Sequence, residues 1–363
     1  MGNTAITTAN SSSAIFSNPS ILGSFSDAHL QVGGKLFYGT ITDEVRNESD
    51  IYDSYDASYP IFPNRSYFGF AFPYKYDNRL KLVFGIGYQR NEGNRVEEET
   101  TWLDDVWSDQ RGDYVATRRT TTITGRSSGR LSTFTPGIAL NLQDQFFFGV
   151  TLNRTLGAIV STAERKAFEQ NIKIESEREQ AAMFLKFGAL ASISDELSIG
   201  LTYRPAFEWE LGETTEKTTV NGELDTEREQ NVAELTIPGM WGIGATYKVS
   251  PKLMLAAELQ SRPYSELQWT PDISDPEIID DGFNISVGAE FLEFGIPVRV
   301  GAFRNVIPYV DDNDTDPVDL IGLTAGIGSQ EGQEFSWDAS ILWGRWEQTI
   351  NEMDRNILKT YSV

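Results

Sequence analysis

The sequence predicts an all-β protein: a 14-stranded antiparallel transmembrane β-barrel whose lumen holds the N-terminal segment. Three observations predict it. Bulky apolar residues alternate with small or polar ones from about Ala28 onward, and the connections between the alternating segments switch between short and long. The first 27 residues, by contrast, are small, polar and irregular.

The N-terminal part (1–27) opens with Gly2-Asn3-Thr4-Ala5 and continues with Ser11-Ser12-Ser13-Ala14-Ile15-Phe16-Ser17-Asn18-Pro19-Ser20. Pro19 removes a backbone donor and biases Asn18 away from helix, which favours a compact plug carrying one apolar pair, Ile15 and Phe16. Residues 28–363 are expected to form the barrel around it.

In the barrel region, Phe283, Ile285, Val287, Ala289 and Phe291 alternate with Asn284, Ser286, Gly288 and Glu290. Leu235, Ile237, Trp241, Ile243, Ala245 and Tyr247 are placed on one face and Glu234, Thr236, Gly242, Gly244 and Thr246 on the other. Leu197, Ile199, Leu201 and Tyr203 likewise oppose Ser198, Gly200, Thr202 and Arg204. Successive strand side chains point to opposite faces, so each segment has one oily and one polar side. A soluble sandwich gives the same pattern, and connection length separates the two. Short links such as Asp77-Asn78, Asp144-Gln145, Ser194-Asp195-Glu196, Val249-Ser250-Pro251, Phe294-Gly295 and Gln330-Glu331-Gly332 alternate with long ones near 43–63, 93–128, 160–178, 212–230, 264–281, 309–318 and 347–355. Tight turns at one end and extended loops at the other are the layout of a bacterial outer-membrane barrel. The C-terminal strand, ending Tyr361-Ser362-Val363, reads as truncated.

Composition agrees. The chain has 363 residues, 21 Phe, 14 Tyr and 8 Trp, and a mean hydropathy of −0.33. No run of apolar residues is long enough for a transmembrane helix, but in a barrel only alternate residues face lipid. A net charge of −23 argues against a nucleic-acid partner. Cysteine is absent, which removes thiol catalysis and cysteine metal sites. No apolar leader is visible, and a cleaved one is expected.

The opening stretch resembles the signature of the long-chain fatty-acid transporter (FadL) family of outer-membrane proteins, in which Gly-Asn-Ala is followed by Asp-Ala-Ser-Ala-x-Phe-x-Asn-Pro-Ala. Ser11 stands here where an acidic residue is usual, and Ser20 where Ala is usual. The resemblance implies fourteen strands, an N-terminal hatch and passive uptake of hydrophobic small molecules such as long-chain fatty acids across the bacterial outer membrane. It also implies exit through an opening in the wall. The alternative reading is an outer-membrane platform or shuttle for a secreted protein partner.

The residues expected to gate the lumen are Ile15, Phe16, Asn18, Pro19 and Ser20. Ionisable residues on the polar phase of the strands, Lys186, Arg204, Glu258, Glu290, Arg299 and Asp338, are expected inside, because a charge facing lipid at the midplane costs roughly 2–4 kcal/mol. Lys186, Arg204 or Arg299 would pair a ligand carboxylate if they are not simply tied into structural ion pairs. Gly125-Arg126-Ser127-Ser128-Gly129 matches Gly-x-Ser-x-Gly, but it precedes a strand and His29 is the single histidine, so no enzyme is expected. No cofactor or metal is expected; Asp311–Asp316 lacks EF-hand spacing and reads as a solvated loop. Trp241, Trp337 and Trp343 read as interface anchors in contact with outer-membrane lipid, and Trp346 as a lumen-lining candidate. The 93–128 stretch, with Trp102, Trp107 and Tyr114, reads as an outer capture surface or a folded-back hairpin.

Overall fold

The computed structural model describes residues 4–8, 11–47, 50–75, 80–92, 96–108, 113–166, 171–230, 232–270, 279–293, 296–310, 317–329, 335–352 and 355–362. It is all-β apart from a short helix α1 (Ala14–Ser17) and two 3-10 turns, Pro19–Ser24 and Tyr264–Glu266. The strands are β1 (His29–Asn47), β2 (Asp50–Lys75), β3 (Leu80–Glu92), β4 (Val96–Ser108), β5 (Asp113–Leu142), β6 (Phe146–Lys166), β7 (Asn171–Ser192), β8 (Leu197–Arg204), β9 (Phe207–Val220) and β10 (Glu223–Gln230). They continue as β11 (Ala233–Ile237), β12 (Met240–Ser250), β13 (Leu253–Arg262), β14 (Gln268–Thr270), β15 (Gly282–Glu293), β16 (Ile296–Val310), β17 (Pro317–Gly328), β18 (Asp338–Glu352) and β19 (Arg355–Ser362).

All belong to one antiparallel sheet of 19 strands. Neighbours in sequence pair in most places, and β1 pairs with β2 and also with β19, Thr40 lying opposite Ser362. The sheet has more segments than the 14 expected: three arise because prolines cut what the alternation reads as single spans, and β4 and β10 form in stretches expected as loops. Pro205 separates β8 from β9, Pro238 separates β11 from β12, and Pro263 separates β13 from β14.

Several stretches expected as long loops are strand instead. β4 pairs with β5 as a hairpin, and β9 turns into β10 at Asn221-Gly222, both with positive φ, the geometry that Asn-Gly hairpins supply. The Asp311–Asp316 cluster and the turns at 77–78, 294–295 and 330–332 lie outside the described residues, as do the side chains of Trp102, Trp107, Tyr114 and Arg126.

The facing expected from alternation holds on β8, β12 and β15. Leu201, Tyr203, Trp241, Ile243, Ile285 and Val287 are exposed on one face, while Thr246 and Ser286 are buried on the other. One assignment is overturned. Leu235 and Ile237 lie opposite Trp209 and Phe207, on the inner face, and not with Trp241. The break at Pro238-Gly239 inserts two residues between the ladders and shifts the phase, and a one-residue slip is enough to swap every side chain between faces.

Candidate functional site

Residues 4–8 and 11–25 pack on the inner face of the sheet. Ile15 and Leu22, both fully buried, form a core cluster with Ala14, Ile21, Ala71, Val83 and Ala139. Phe16 meets Tyr67 edge to face, with ring centres 6.4 Å apart. Asn18 is also fully buried. Its amide donates to the carbonyls of Ile6 (2.8 Å) and Ala189 (3.2 Å), and its oxygen accepts from the amide and hydroxyl of Ser20. One side chain thus ties the two ends of the segment together and to β7. Pro19 then opens the 3-10 turn, where its missing N–H is no loss.

The wall is shaped to receive this segment by glycines, of which the alternation placed Gly200 and Gly242 on the polar face without showing what they receive. A Cβ on Gly85 would stand 2.8 Å from Leu22 Cδ1, and one on Gly87 would stand 2.7 Å from Phe16 Cζ. On the far side, Cβ atoms on Gly200 and Gly242 would each meet Ile6 at 2.8 Å. Gly149 and Gly188 leave room for Pro19 and Asn18. The signal was present as Gly85-Ile86-Gly87 and Gly242-Ile243-Gly244, where glycine repeats on the inward phase of a strand mark close backbone approach.

The first residues are held separately. Glu258, 4% exposed, accepts from the amides of Ala5 and Ile6, and the hydroxyls of Thr7 and Thr246 pair. Of the six ionisable candidates, Glu258 is therefore an anchor for the N-terminal segment.

Lys186 and Arg204 line a cavity of about 360 Å³ beside Phe16, together with Phe184, Phe207, Trp209, Met240, Gln260 and Arg262. Lys186 Nζ donates to the Phe16 carbonyl at 3.0 Å. Arg204 lies against the faces of Phe207 (4.9 Å) and Phe184 (5.7 Å), and these two rings stack at 4.5 Å. Its Nη2 reaches Met240 Sδ at 2.9 Å, whereas its buried Nε has no hydrogen-bond partner among the described residues. The lining is mixed, with Thr133, Asn153, Thr155 and Thr202 besides the rings, and a chamber that sets aromatic faces beside guanidinium and ammonium groups suits a molecule with an oily body and an acceptor head group.

Arg262, Phe207 and Trp209 were missed. Arg262 shares its phase with Glu258 and Gln260 and is the last residue of β13, next to Pro263. Phe207 and Trp209 fall on the outward phase when alternation is carried through Pro205-Ala206; the break turns them inward.

Glu290, Arg299 and Asp338 come together elsewhere. Arg299 Nε pairs Glu290 at 2.6 Å and its Nη1 pairs Asp338. They form a structural ion-pair cluster away from the cavity, so Arg299 is separated from Lys186 and Arg204. Trp241, Trp337 and Trp343 are about half exposed. His29 stacks on Phe25 and its Nδ1 lies 3.3 Å from the amide of Ser12, inside the contacts that seat the N-terminal segment.

No family model matches the chain, and no curated protein sequence matches it. Solved structures do. A Pseudomonas aeruginosa FadL homologue matches at a TM-score of 0.59 and 14% identity, covering 99% of this chain and 95% of that one. The Pseudomonas putida toluene transporter TodX matches at 0.61 and 13%, covering 100% and 94%. The Ralstonia pickettii toluene transporter TbuX matches at 0.55 and 12%, also covering 100% and 94%. The chain therefore has the FadL/TodX-type fold, as the opening motif implied.

Proposed function

We propose that this chain is an outer-membrane channel for passive uptake of hydrophobic small molecules, with residues 1–27 as a luminal hatch and 28–363 as the barrel. Taking β8 with β9, β10 with β11 and β12, and β13 with β14 as single spans, and β4 as an outer hairpin, the wall has 14 spans; the pairing of β1 with both β2 and β19 supports closure. Exposed Phe84, Ile86, Phe148, Ile285, Val287 and Trp343 suit a lipid-facing surface on a multi-pass bacterial outer-membrane protein. The fold of a FadL homologue and of toluene transporters supports the same class of cargo.

The observation that carries the reading is the chamber against Phe16. Its aromatic walls accept an apolar body, while Lys186, Arg204 and Arg262 attract a carboxylate such as that of a long-chain fatty acid. Lys186 also holds the Phe16 carbonyl, so an anion drawing Lys186 away weakens one contact that keeps Ile15 to Ser20 in place. That links binding to gating.

The test is titration of purified protein with oleate, followed by intrinsic tryptophan fluorescence, with Trp209→Phe identifying the part that comes from the chamber. Replacing Arg204 by Leu is expected to weaken binding by roughly 30-fold or more, since truncating one partner of a buried charge pair costs about 2–5 kcal/mol. Glu290→Gln, outside the chamber, should bind as the parent does. Equal affinity in the Arg204 variant and the parent would overturn the assignment.

A further inference from the structure

The outer face of the wall carries arginines in two places, and the two differ. On β16 and β18, Arg304 and Arg345 share the outward phase with Ile285 and Trp343 and flank Ile321 in the ladder. Arg304 pairs Asp319 at 2.7 Å and Arg345 pairs Glu347, so the wall itself neutralises that side. On β5 and β6, Arg130 and Arg154 share the outward phase with Phe134, Leu152 and Leu156. Both are exposed, and neither side chain forms an ion pair or hydrogen bond among the described residues.

The ladder fixes how this second group is arranged. Arg154 stands opposite Phe134 of β5 and Met183 of β7. One row higher, Arg90 of β3 stands opposite Ser132, which in turn faces Leu156. One row higher again, Arg130 stands opposite Glu92 and Ala158; the Glu92 side chain lies outside the described residues. Three arginines thus occupy successive outward rows on adjacent strands. The Ser132 hydroxyl, between Arg130 and Arg154, pairs with the Tyr88 hydroxyl at 3.0 Å.

Height gives the pattern its meaning. At about 3.3 Å per residue and a tilt of ~45°, Arg154 lies roughly 19 Å above the short turns, Arg90 roughly 23 Å and Arg130 roughly 28 Å. The apolar band of an outer-membrane barrel is about 25 Å tall, so the arginines straddle its outer edge. A cation facing lipid is costly at the midplane and nearly free at the interface, where a long side chain reaches the head groups. Guanidinium groups at that level meet phosphate, which they hold through paired N–H donors. Beneath them Phe84, Ile86, Phe148 and Leu152 are exposed and offer an apolar face to acyl chains. Positive charge at the edge and an oily face below fit one occupant, a lipid with a phosphorylated head group.

We propose that the outer face of β3, β5 and β6 at Arg90, Arg130 and Arg154 is a docking site for a phosphate-bearing lipid of the outer leaflet. The proposal rests on reading the chain as an outer-membrane barrel and is independent of what the chamber carries. Phosphate groups bind at Arg130 and Arg154 with the Ser132 hydroxyl between them, and the acyl chains run down over Leu152 and Phe148.

The test uses the lipid-stripped barrel in detergent, with EDTA present so that no divalent cation on the exposed Glu177 and Glu179 holds the phosphate. Native mass spectrometry reads the bound fraction of diphosphorylated lipid A and of its dephosphorylated form. The phosphorylated lipid should stay bound, and Arg130→Gln with Arg154→Gln should weaken it at least tenfold. Arg304→Gln, on the neutralised side, should bind as the parent does. Dephosphorylated lipid A should bind the parent no better than it binds the double variant. Equal binding of the two lipid forms to the parent overturns the site, as does equal binding of lipid A to parent and double variant. Displacement of the lipid by inorganic phosphate at equal concentration also overturns it, since the site would then serve the free anion. Should the double variant not assemble, the two lipid forms compared on the parent decide alone. Oleate binding without phosphate-dependent lipid A binding would remove the site and leave the channel reading standing. Phosphate-dependent lipid A binding without oleate binding would do the reverse.

Discussion

Where the N-terminal segment is seated, between β2 and β13, the inner face is cut down to glycine at 69, 85, 87, 149, 188, 200 and 242; along β15 to β18 the inner face carries Glu290, Arg299 and Asp338 paired with one another. The two halves begin from the same alternation of oily and polar residues and diverge in what the polar phase holds. On the first side, contacts are dry and set by volume: Ile15, Leu22, Asn18 and Ser20 are essentially inaccessible. On the second, the charged side chains stay 17–50% exposed, so solvent screens them and shape matters less. A seated element therefore depends on missing atoms in the wall, whereas an unseated face depends on charge balance.

The comparison breaks most severely at Gly149. Its Cβ position is occupied by the backbone of Pro19 and Ser20, which cannot rotate away as a side chain can. Gly149→Val should expel residues 11–25 at a cost at or above the usual ~1–3 kcal/mol of overpacking. Limited proteolysis should cut near Ser17 while the wall keeps its heat-dependent gel mobility; a protected N-terminus would show that the glycines do not form the seat.

A smaller loss is expected at Glu258. Glu258→Leu leaves the buried amide of Ile6 and the half-buried amide of Ala5 without their acceptor, at a cost of about 1–3 kcal/mol for a fully buried group. Hydrogen exchange at residues 4–8 should rise, with residues 12–25 still protected. Uniform exchange across both would mean that the first residues are not a separately held clasp.

The smallest effect should come from Glu290→Gln on the other side. Its pair with Arg299 is partly solvated, and Asp338 remains as a second partner. The melting temperature should fall by no more than about 1 kcal/mol of stability implies, and the difference should shrink in high salt. A larger, salt-independent loss would place this cluster among the dry contacts and erase the distinction between the halves.

How much was legible follows local rules. Ile15 to Ser20 were found because Asn-Pro and a lone apolar pair within a polar stretch have few other uses, and Lys186, Arg204 and Glu258 were found because they sit on the polar phase of a strand. Arg262, Phe207 and Trp209 were not found: Phe207 and Trp209 follow Pro205, where the alternation is reset, and Arg262 stands where β13 ends at Pro263. Glycines at 149, 188 and 200 carried no local sign of what would fill their space.

By itself the sequence determined the all-β class, the inward or outward facing within each unbroken strand, and the identity of the N-terminal segment as something other than wall. These depend on residues a few positions apart, linked by backbone geometry of period two. Only the tertiary structure decided which inward charges meet. Lys186 and Arg204 face one chamber while Arg299 is taken up by Glu290 and Asp338, and Glu258, lying 252 residues from Ile6, becomes its anchor. Such pairings depend on how many strands separate two positions and on where breaks shift the phase, and no local pattern carries that information.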